Sequence, residues 1–227
     1  MVIATMMTLL NSTTTANHPS IPRDVNKPSI EEKETDTVKS ADNIEDIETG
    51  IIFIGDSRTV GMGKAVQNED NVYFIAKVGE GYSWMVNTAI PEVDEVINEN
   101  NDIDKWIIVS NYGVNDLRNI DKYVDKYNEL ENNEWSDYNL YIMSVNPVDE
   151  NKCHSVSNDN IDKFNNKIKE NSFNYIDTNN ITSEIMQTQD GLHYDNSTYI
   201  SIYDYTMRCL EEYGEYSTKT ADANTEI

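Results

Sequence analysis

Short apolar runs and longer amphipathic stretches alternate along most of the chain after residue 50. The apolar runs are rich in β-branched and aromatic residues and predict five strands, at 51–55, 72–76, 106–110, 140–145 and 173–176. Apolar residues at helical spacing predict amphipathic helices at 84–97, 159–170 and 196–213. Runs that are apolar at nearly every position are typical of strands buried on both faces. The pattern therefore predicts an α/β fold whose five-stranded parallel sheet is covered by helices on both faces.

The two ends of the chain lack this pattern. Residues 1–49 predict a disordered, acidic N-terminal segment, because their Thr-, Ser-, Asn- and acid-rich composition buries too little apolar surface to offset chain entropy. The folded domain is expected at 50–214, followed by a polar tail at 215–227. The start, MVIATMMTLL, resembles the apolar core of a secretion signal without its positive charge, which favours export to the surface or the outside of a bacterial cell. A cytoplasmic protein with an apolar N-terminus is the alternative.

The charge of the chain argues against several kinds of partner. It has 17 basic and 41 acidic residues, which give a net charge of -24. Nucleic-acid phosphate and anionic lipid both attract clustered Lys and Arg, so we expect neither as a partner. No run of 18 apolar residues is present, so we expect no insertion into a membrane. The expectation is a monomer whose substrate is either uncharged or attracted locally by basic residues.

Cysteine and histidine are too few and too scattered to predict a metal site. The three histidines show no H-E-x-x-H spacing, and Cys153 and Cys209 show no C-x-x-C spacing. The chemistry is therefore expected to use neither a metal nor a cofactor. Cys153 is predicted on a loop at one edge of the sheet and Cys209 about 18 Å along the last helix, too far apart for a disulfide. Both thiols are expected to be free, with Cys153 reactive and Cys209 protected.

Polar residues and glycines follow the predicted strands, at the edge of the sheet where open α/β proteins bind their ligands. They occur in five loops, at 55–58, 77–82, 111–116, 146–149 and 189–195. A hydroxyl, glycines, an amide, carboxylates and an imidazole would thereby meet in one place. These are the groups that acyl transfer needs.

Ser57 is a candidate nucleophile. A serine becomes reactive when a histidine accepts its proton and a carboxylate orients that histidine. Asp190 and His193 are three residues apart, so a single turn can bring the carboxylate to the imidazole. The alternative for Gly55-Asp56-Ser57 is a turn that only caps a helix.

The same edge also offers donors for a tetrahedral oxyanion. Gly79 or Gly81 would let a backbone N–H approach the oxyanion without a Cβ in the way. Asn115 would add its side-chain amide. Ser57 would add its own N–H, which lies at a predicted helix start and therefore at the positive end of a helix dipole.

Four ordered motifs resemble those of the SGNH (GDSL-type) hydrolases: Gly55–Ser57, a glycine after the second strand, G-x-N-D at 113–116, and D-x-x-H at 190–193. The resemblance covers about residues 50–214. It implies a flavodoxin-like, three-layer α/β/α sandwich and an esterase, lipase or acyltransferase activity. It also implies the site residues: Ser57 as nucleophile, His193 as general base, Asp190 as its orienting acid, and Asn115 with Gly79 or Gly81 as oxyanion donors, of which Gly79 is preferred because it comes first after the strand.

Some residues near these motifs have open roles. Arg58 stands where the family often has Leu, and it is either a surface ion-pair partner or a substrate contact. Gly81 is a second candidate substrate contact. Tyr82 and Tyr112, together with Trp84, either form an aromatic wall for a sugar ring or pack in the core.

The residues favour a serine esterase that removes a small acyl group, with acetyl as the favoured group, from a carbohydrate or cell-wall glycan. No extended apolar lid is evident, which disfavours a lipase for long acyl chains. An acyltransferase that acts on wall glycan would use the same residues. A non-catalytic binding module on the same fold would lack the serine or the histidine, and both are present.

Overall fold

The structure, a computed structural model, describes residues 47–67 and 69–215. The apolar start and nearly all of the predicted disordered segment lie outside the described residues, as do residues 216–227. The part of the chain that is described contains no helix both long and apolar enough to cross a bilayer.

Five parallel strands form one sheet, as the apolar runs predict. They are β1 (Thr49–Gly55), β2 (Val72–Ala76), β3 (Lys105–Asn111), β4 (Asn139–Met143) and β5 (Asn174–Ile176). Their order in the sheet is β2-β1-β3-β4-β5. The fourth strand ends before the predicted residue 145, because the side chain of Asn165 takes over both backbone groups of Val145.

Helices connect and flank the strands. They are α1 (Ser57–Ala65), α2 (Tyr82–Trp84), α3 (Ile90–Glu99), α4 (Ile120–Glu129), α5 (Asn158–Glu170), α6 (Asn179–Ile185) and α7 (Asn196–Glu212). A π-helical stretch, Met85–Ala89, joins α2 to α3, a 3-10 turn, Leu117–Asn119, precedes α4, and a second π-helical stretch, Leu130–Glu134, follows it. The helices predicted at 84–97, 159–170 and 196–213 are present, whereas the pattern did not single out α4 or α6.

The sheet lies between two apolar layers, which makes the fold a three-layer α/β/α sandwich. Alternate residues of β1 face opposite sides, since successive side chains of a strand alternate. Ile52 and Ile54 pack in the cluster that contains residues of α3, α4 and α5. Ile51 and Phe53 pack in the cluster that contains residues of α1 and α7. All four side chains are fully buried, as expected for a central strand.

The structure confirms two free cysteines but places both in the interior. Cys153 is 6% exposed and Cys209 is 8% exposed. The expectation that Cys153 is a reactive surface thiol is therefore wrong. Its loop folds back against the loop that follows α6, and its backbone N–H donates to the carbonyl of Asp149. Burial raises the pKa of the Cys209 thiol, which further lowers its reactivity.

Thiol titration should accordingly find no fast-reacting thiol in native buffer and two thiols after denaturation without reductant. A thiolate must reach the reagent to react, and both sulfurs are covered. A single fast thiol in native protein would show that the loop around Cys153 opens in solution. No thiol after denaturation would show that the cysteines are bonded.

Candidate active site

Ser57, His193 and Asp190 form one hydrogen-bonded chain. Ser57 is the first residue of α1, directly after β1, and the other two lie in the loop between α6 and α7. The Oγ of Ser57 lies 2.9 Å from Nε2 of His193, and Nδ1 of His193 lies 2.7 Å from Oδ2 of Asp190. The structure thus brings together the three residues that the sequence singles out. The order of these groups, a hydroxyl, an imidazole and a carboxylate, is the one that nucleophilic catalysis by a serine requires.

Local hydrogen bonds shape the loop that carries Asp190 and His193. A bridge between Thr188 and Tyr194 closes the loop. Within it, Oδ1 of Asp190 accepts from the backbone N–H groups of Leu192 and His193, at 2.9 and 2.8 Å. Gly191 has a φ of +82°, a conformation that L side chains rarely adopt. The Asp190 carboxylate therefore stabilises the backbone of its own turn, and this turn brings the His193 ring to the carboxylate across the short D-x-x-H spacing.

The Asp190 carboxylate stays ionised in this setting. Burial raises its pKa, but the hydrogen bonds from the His193 side chain and from the backbone N–H groups of His193 and Leu192 outweigh burial and lower that pKa below its ordinary value. An ionised carboxylate accepts a proton-bearing Nδ1, which leaves the lone pair of Nε2 facing Ser57. The Asp190 side chain is 56% exposed, so solvent screens part of its charge.

Asp56 and the start of α1 fix the position of Ser57. The carboxylate of Asp56 caps α1 by accepting from the backbone N–H of Arg58 at 2.9 Å. Asp56 is 1% exposed, and burial raises its pKa to about 6, although the N–H and the charge of Arg58 act in the opposite direction. At neutral pH its carboxylate is therefore mainly charged and lies in the field of the Arg58 guanidinium. Both Asp56 and Ser57 thus belong to a turn that caps a helix and also carries the candidate nucleophile.

The oxyanion candidates lie at the ends of β2 and β3. Asn115 is exposed, and its Nδ2 donates to the carbonyl of Glu80 at 2.7 Å, which ties the Asn115 loop to the segment between the two glycines. Gly79 is exposed and has a φ of +78°. A Cβ on Gly81 would lie 2.6 Å from the Asp116 carboxylate. Close packing thus accounts for Gly81, which supports Gly79 as the donor; that role stays a prediction.

Asp116 has a structural role in this region. Its carboxylate accepts from the backbone N–H of Tyr82, the amide of Asn119 and the hydroxyl of Tyr123, at 2.9, 3.0 and 2.8 Å. These bonds hold the start of α2 against the loop after β3. They thereby set the position of both Asn115 and the glycine segment.

Two of the predicted substrate contacts are buried. Tyr112 is 2% exposed and packs in the apolar cluster against Tyr123, so it lines the core and not the substrate cleft. Arg58 is 3% exposed, so it is neither a surface ion-pair partner nor a substrate contact. Tyr82 and Trp84 are half-buried against the same cluster. Tyr82 packs edge-on against Tyr123, with their ring centroids 5.3 Å apart.

Sequence reasoning did not foresee the contacts of Arg58. Its guanidinium donates to three backbone carbonyls, those of Leu192, Asn146 and Pro147. No sequence signal points to this set of contacts, because the three carbonyls lie 88 to 134 residues from Arg58 along the chain.

Comparison with known proteins addresses the architecture. No family model and no curated protein matches the chain. The chain resembles a lipase/acylhydrolase from Enterococcus faecalis, with 17% identity and a TM-score of 0.57 over 77% of this chain and 100% of that one. It resembles the C-terminal catalytic domain of peptidoglycan O-acetyltransferase A from Streptococcus pneumoniae, with 17% identity and a TM-score of 0.55 over 77% and 99% of the two chains.

A third similar structure is a GDSL-like lipase from Bacteroides thetaiotaomicron. Its identity is 16% and its TM-score 0.54, over 73% of this chain and 89% of that one. At these identities the likeness concerns the architecture. Together with the observed strand order, it shows that the chain has the fold of the SGNH (GDSL-type) hydrolases.

Proposed function

We propose that this protein is a serine esterase that hydrolyses small acyl esters, with acetyl esters of carbohydrate or cell-wall glycan as its substrates. The observation that carries the proposal is the continuous chain from Ser57 Oγ through the His193 imidazole to the Asp190 carboxylate. Similar structures that include lipases and an acylhydrolase support ester chemistry on this fold.

The geometry supports a two-step reaction. His193 Nε2 accepts the proton of Ser57 as Oγ attacks the ester carbonyl, and the imidazolium then gives that proton to the departing alcohol. This leaves an acyl group on Ser57. In the second step His193 activates a water molecule, which releases the acid and restores the serine. Both steps therefore need a neutral imidazole at their start, because only an unprotonated Nε2 can accept a proton.

The negative oxygen of each tetrahedral intermediate needs donors. We assign this role to the N–H of Ser57 at the start of α1, the N–H of Gly79 and the Nδ2 group of Asn115. Asn115 uses one N–H for the Glu80 carbonyl, and its second N–H can serve the oxyanion.

Replacing Asn115 with Ala should lower kcat by about a hundredfold to a thousandfold, the usual cost of losing one oxyanion donor. The melting temperature should change little, because Asn115 is exposed and only one hydrogen bond to Glu80 is lost. Steady-state kinetics with a nitrophenyl ester checks this. Asn101→Ala, which removes an exposed amide that donates to the Asn98 carbonyl in the loop before β3, is the matched control. Equal effects of the two variants would assign Asn115 a structural role.

The exposure of the site favours a small acyl group on a bulky alcohol. The side chain of His193 is 41% exposed, and Asn115 and Gly79 are exposed as well. An open site can accept one residue of a long glycan, whereas tight binding of a long acyl chain needs an apolar enclosure. The strongly acidic chain also favours an uncharged substrate.

Substrate profiling tests the proposal. The purified protein is assayed on nitrophenyl acetate, butyrate and octanoate, and on O-acetylated xylan and O-acetylated peptidoglycan with acetate release as the readout. We expect the highest kcat/KM for acetate among the nitrophenyl esters, and release of acetate from at least one glycan. Preference for octanoate would contradict the small-acyl assignment. No hydrolysis of any ester would contradict the esterase.

Acyl transfer to a glycan is the second candidate, supported by the similar structure of a peptidoglycan O-acetyltransferase domain. The two activities share the acyl-serine and differ in whether water or a sugar hydroxyl accepts the acyl group. The discriminating assay incubates nitrophenyl acetate with chitooligosaccharides and measures acetylated sugar by mass spectrometry. Hydrolysis predicts free acetate alone, and transfer predicts acetylated sugar.

A further inference from the structure

Arg58 is a buried cation whose guanidinium is held mainly by neutral groups. Nε donates to the carbonyl of Leu192 at 3.1 Å, Nη1 to that of Asn146 at 2.6 Å and Nη2 to that of Pro147 at 3.1 Å. Among the described residues, no carboxylate forms an ion pair with it. Burying a charge in this way is costly unless hydrogen bonds and a nearby opposite charge compensate for it.

The contacts of Arg58 converge on the two neighbours of His193. Leu192, which precedes His193, supplies the carbonyl that accepts from Nε. Tyr194, which follows His193, places its ring 4.8 Å from the guanidinium carbon. The Tyr194 hydroxyl donates at 2.5 Å to Pro147, the same carbonyl that accepts from Nη2 of Arg58. Burial raises the pKa of Tyr194 to about 12, so its hydroxyl keeps the proton that it donates.

Arg58 is also the residue next to Ser57. Its backbone N–H donates to Asp56 and so takes part in the cap that places Ser57 at the start of α1. One residue therefore fixes the nucleophile through its backbone and the histidine loop through its side chain. The bond from Arg58 to Leu192 joins the residue after Ser57 to the residue before His193, alongside the bond between the two functional groups.

We propose that Arg58 is a positioning residue, whose guanidinium ties the His193 loop to the loop after β4 and thereby keeps Nε2 of His193 within hydrogen-bond distance of Ser57 Oγ. This inference rests on the proposed role of His193 as the base. A leucine at this position would leave the carbonyls of Leu192 and Asn146 without the Arg58 donor, and the Pro147 carbonyl with only the Tyr194 hydroxyl. Lysine would keep the charge but could not match the planar fork that reaches three acceptors.

The test compares Arg58→Leu and Arg58→Lys with the wild-type protein. Measurements are kcat and KM for nitrophenyl acetate and the rate at which a fluorophosphonate modifies Ser57, all well below each melting temperature. We expect Arg58→Leu to lower kcat and the modification rate in parallel, by about tenfold to a hundredfold, the scale on which small misplacements act. KM should change less than about threefold. For Arg58→Lys, kcat and the modification rate should lie between those of the wild-type protein and those of Arg58→Leu.

Lys105→Met is the control for lost stability alone. Lys105 begins β3 and pairs with Glu215 at the opposite edge of the sheet from Ser57, so this variant should lower the melting temperature without lowering kcat. If Arg58→Leu does not fold, the comparison of Arg58→Lys with the wild-type protein tests the positioning role. Wild-type kcat and modification rate in whichever Arg58 variant folds would overturn the positioning role. A wild-type protein that neither hydrolyses esters nor reacts with the fluorophosphonate would instead overturn the proposed function, and this inference with it.

Discussion

Replacing Ser57 with Ala should abolish ester hydrolysis, with a loss in kcat on the order of a millionfold, as is usual when a serine nucleophile is removed. Its Oγ is the atom that His193 faces at 2.9 Å, and alanine offers no atom for attack. The fold should be unaffected, because the Asp56 cap and the backbone of α1 do not involve the Ser57 hydroxyl. The measurements are the hydrolysis rate of nitrophenyl acetate and the melting temperature.

Ser136→Ala is the matched control for this variant. Ser136 is exposed, just before β4 at the far edge of the sheet, and its hydroxyl donates only to the Asn133 carbonyl. It should keep the wild-type rate. A Ser57→Ala protein that retained more than a few per cent of that rate would show that another group attacks the ester.

The strands and the candidate triad were predictable because each depends on residues that are close together in the sequence. A strand that is apolar at nearly every position, such as 51–55, is expected to be buried on both faces of a parallel sheet. The loops that follow parallel strands then lie at the same edge of that sheet. Asp190 and His193 lie in one turn, and Ser57 follows the end of β1 with only Asp56 between them. No long-range packing had to be known to bring these three groups to the same place.

Tyr112 shows a signal that was present in the sequence but not used. Successive side chains of a strand point to opposite faces of the sheet, so Tyr112, which follows β3, is expected on the same face as Ile108 and Ser110. In the structure Ile108 and Tyr112 occupy the same apolar cluster, and Ser110 bonds to Tyr127 of α4. Extending the alternation of β3 by one step predicts burial of Tyr112.

Arg58 and Cys153 could not be placed from the sequence, because their environments come from distant loops. The carbonyls that Arg58 contacts lie 88 to 134 residues away in the chain. Cys153 is covered where its loop meets Gly191, whose missing Cβ leaves room for the Cys153 backbone. A charged side chain next to a candidate serine is expected at the surface unless the distant carbonyls that bind it are known. Helix α4 was not predicted for another reason. Two of its three buried residues are the tyrosines Tyr123 and Tyr127, and tyrosine is equally typical of strands.

Replacing Asp190 with Asn should lower kcat by about a thousandfold to ten-thousandfold. The carbonyl oxygen of the new amide side chain could still accept from the backbone of Leu192 and His193, so the turn should persist. Its NH₂ group would then face Nδ1 of His193 and favour the tautomer with the proton on Nε2, which cannot accept a proton from Ser57. The loss should fall towards the lower end of this range, because water can reach a side chain that is 56% exposed and can take over part of the carboxylate's role.

The pH–rate profile separates this mechanism from a simple loss of structure. The Asp190 pKa is lowered, so the wild-type carboxylate is ionised throughout pH 5–9, whereas Asp56, whose pKa burial raises to about 6, titrates within that range in both proteins. Without the carboxylate, the imidazolium that forms during the reaction loses a stabilising partner, so the Asp190→Asn and wild-type profiles should differ in shape as well as in height. Asp195→Asn makes the same chemical change two residues after His193, at the cap of α7, where asparagine is an equally good cap. It should keep both the rate and the profile, so an equal loss in the two variants would mean that the loop, and not the charge on Asp190, controls the reaction.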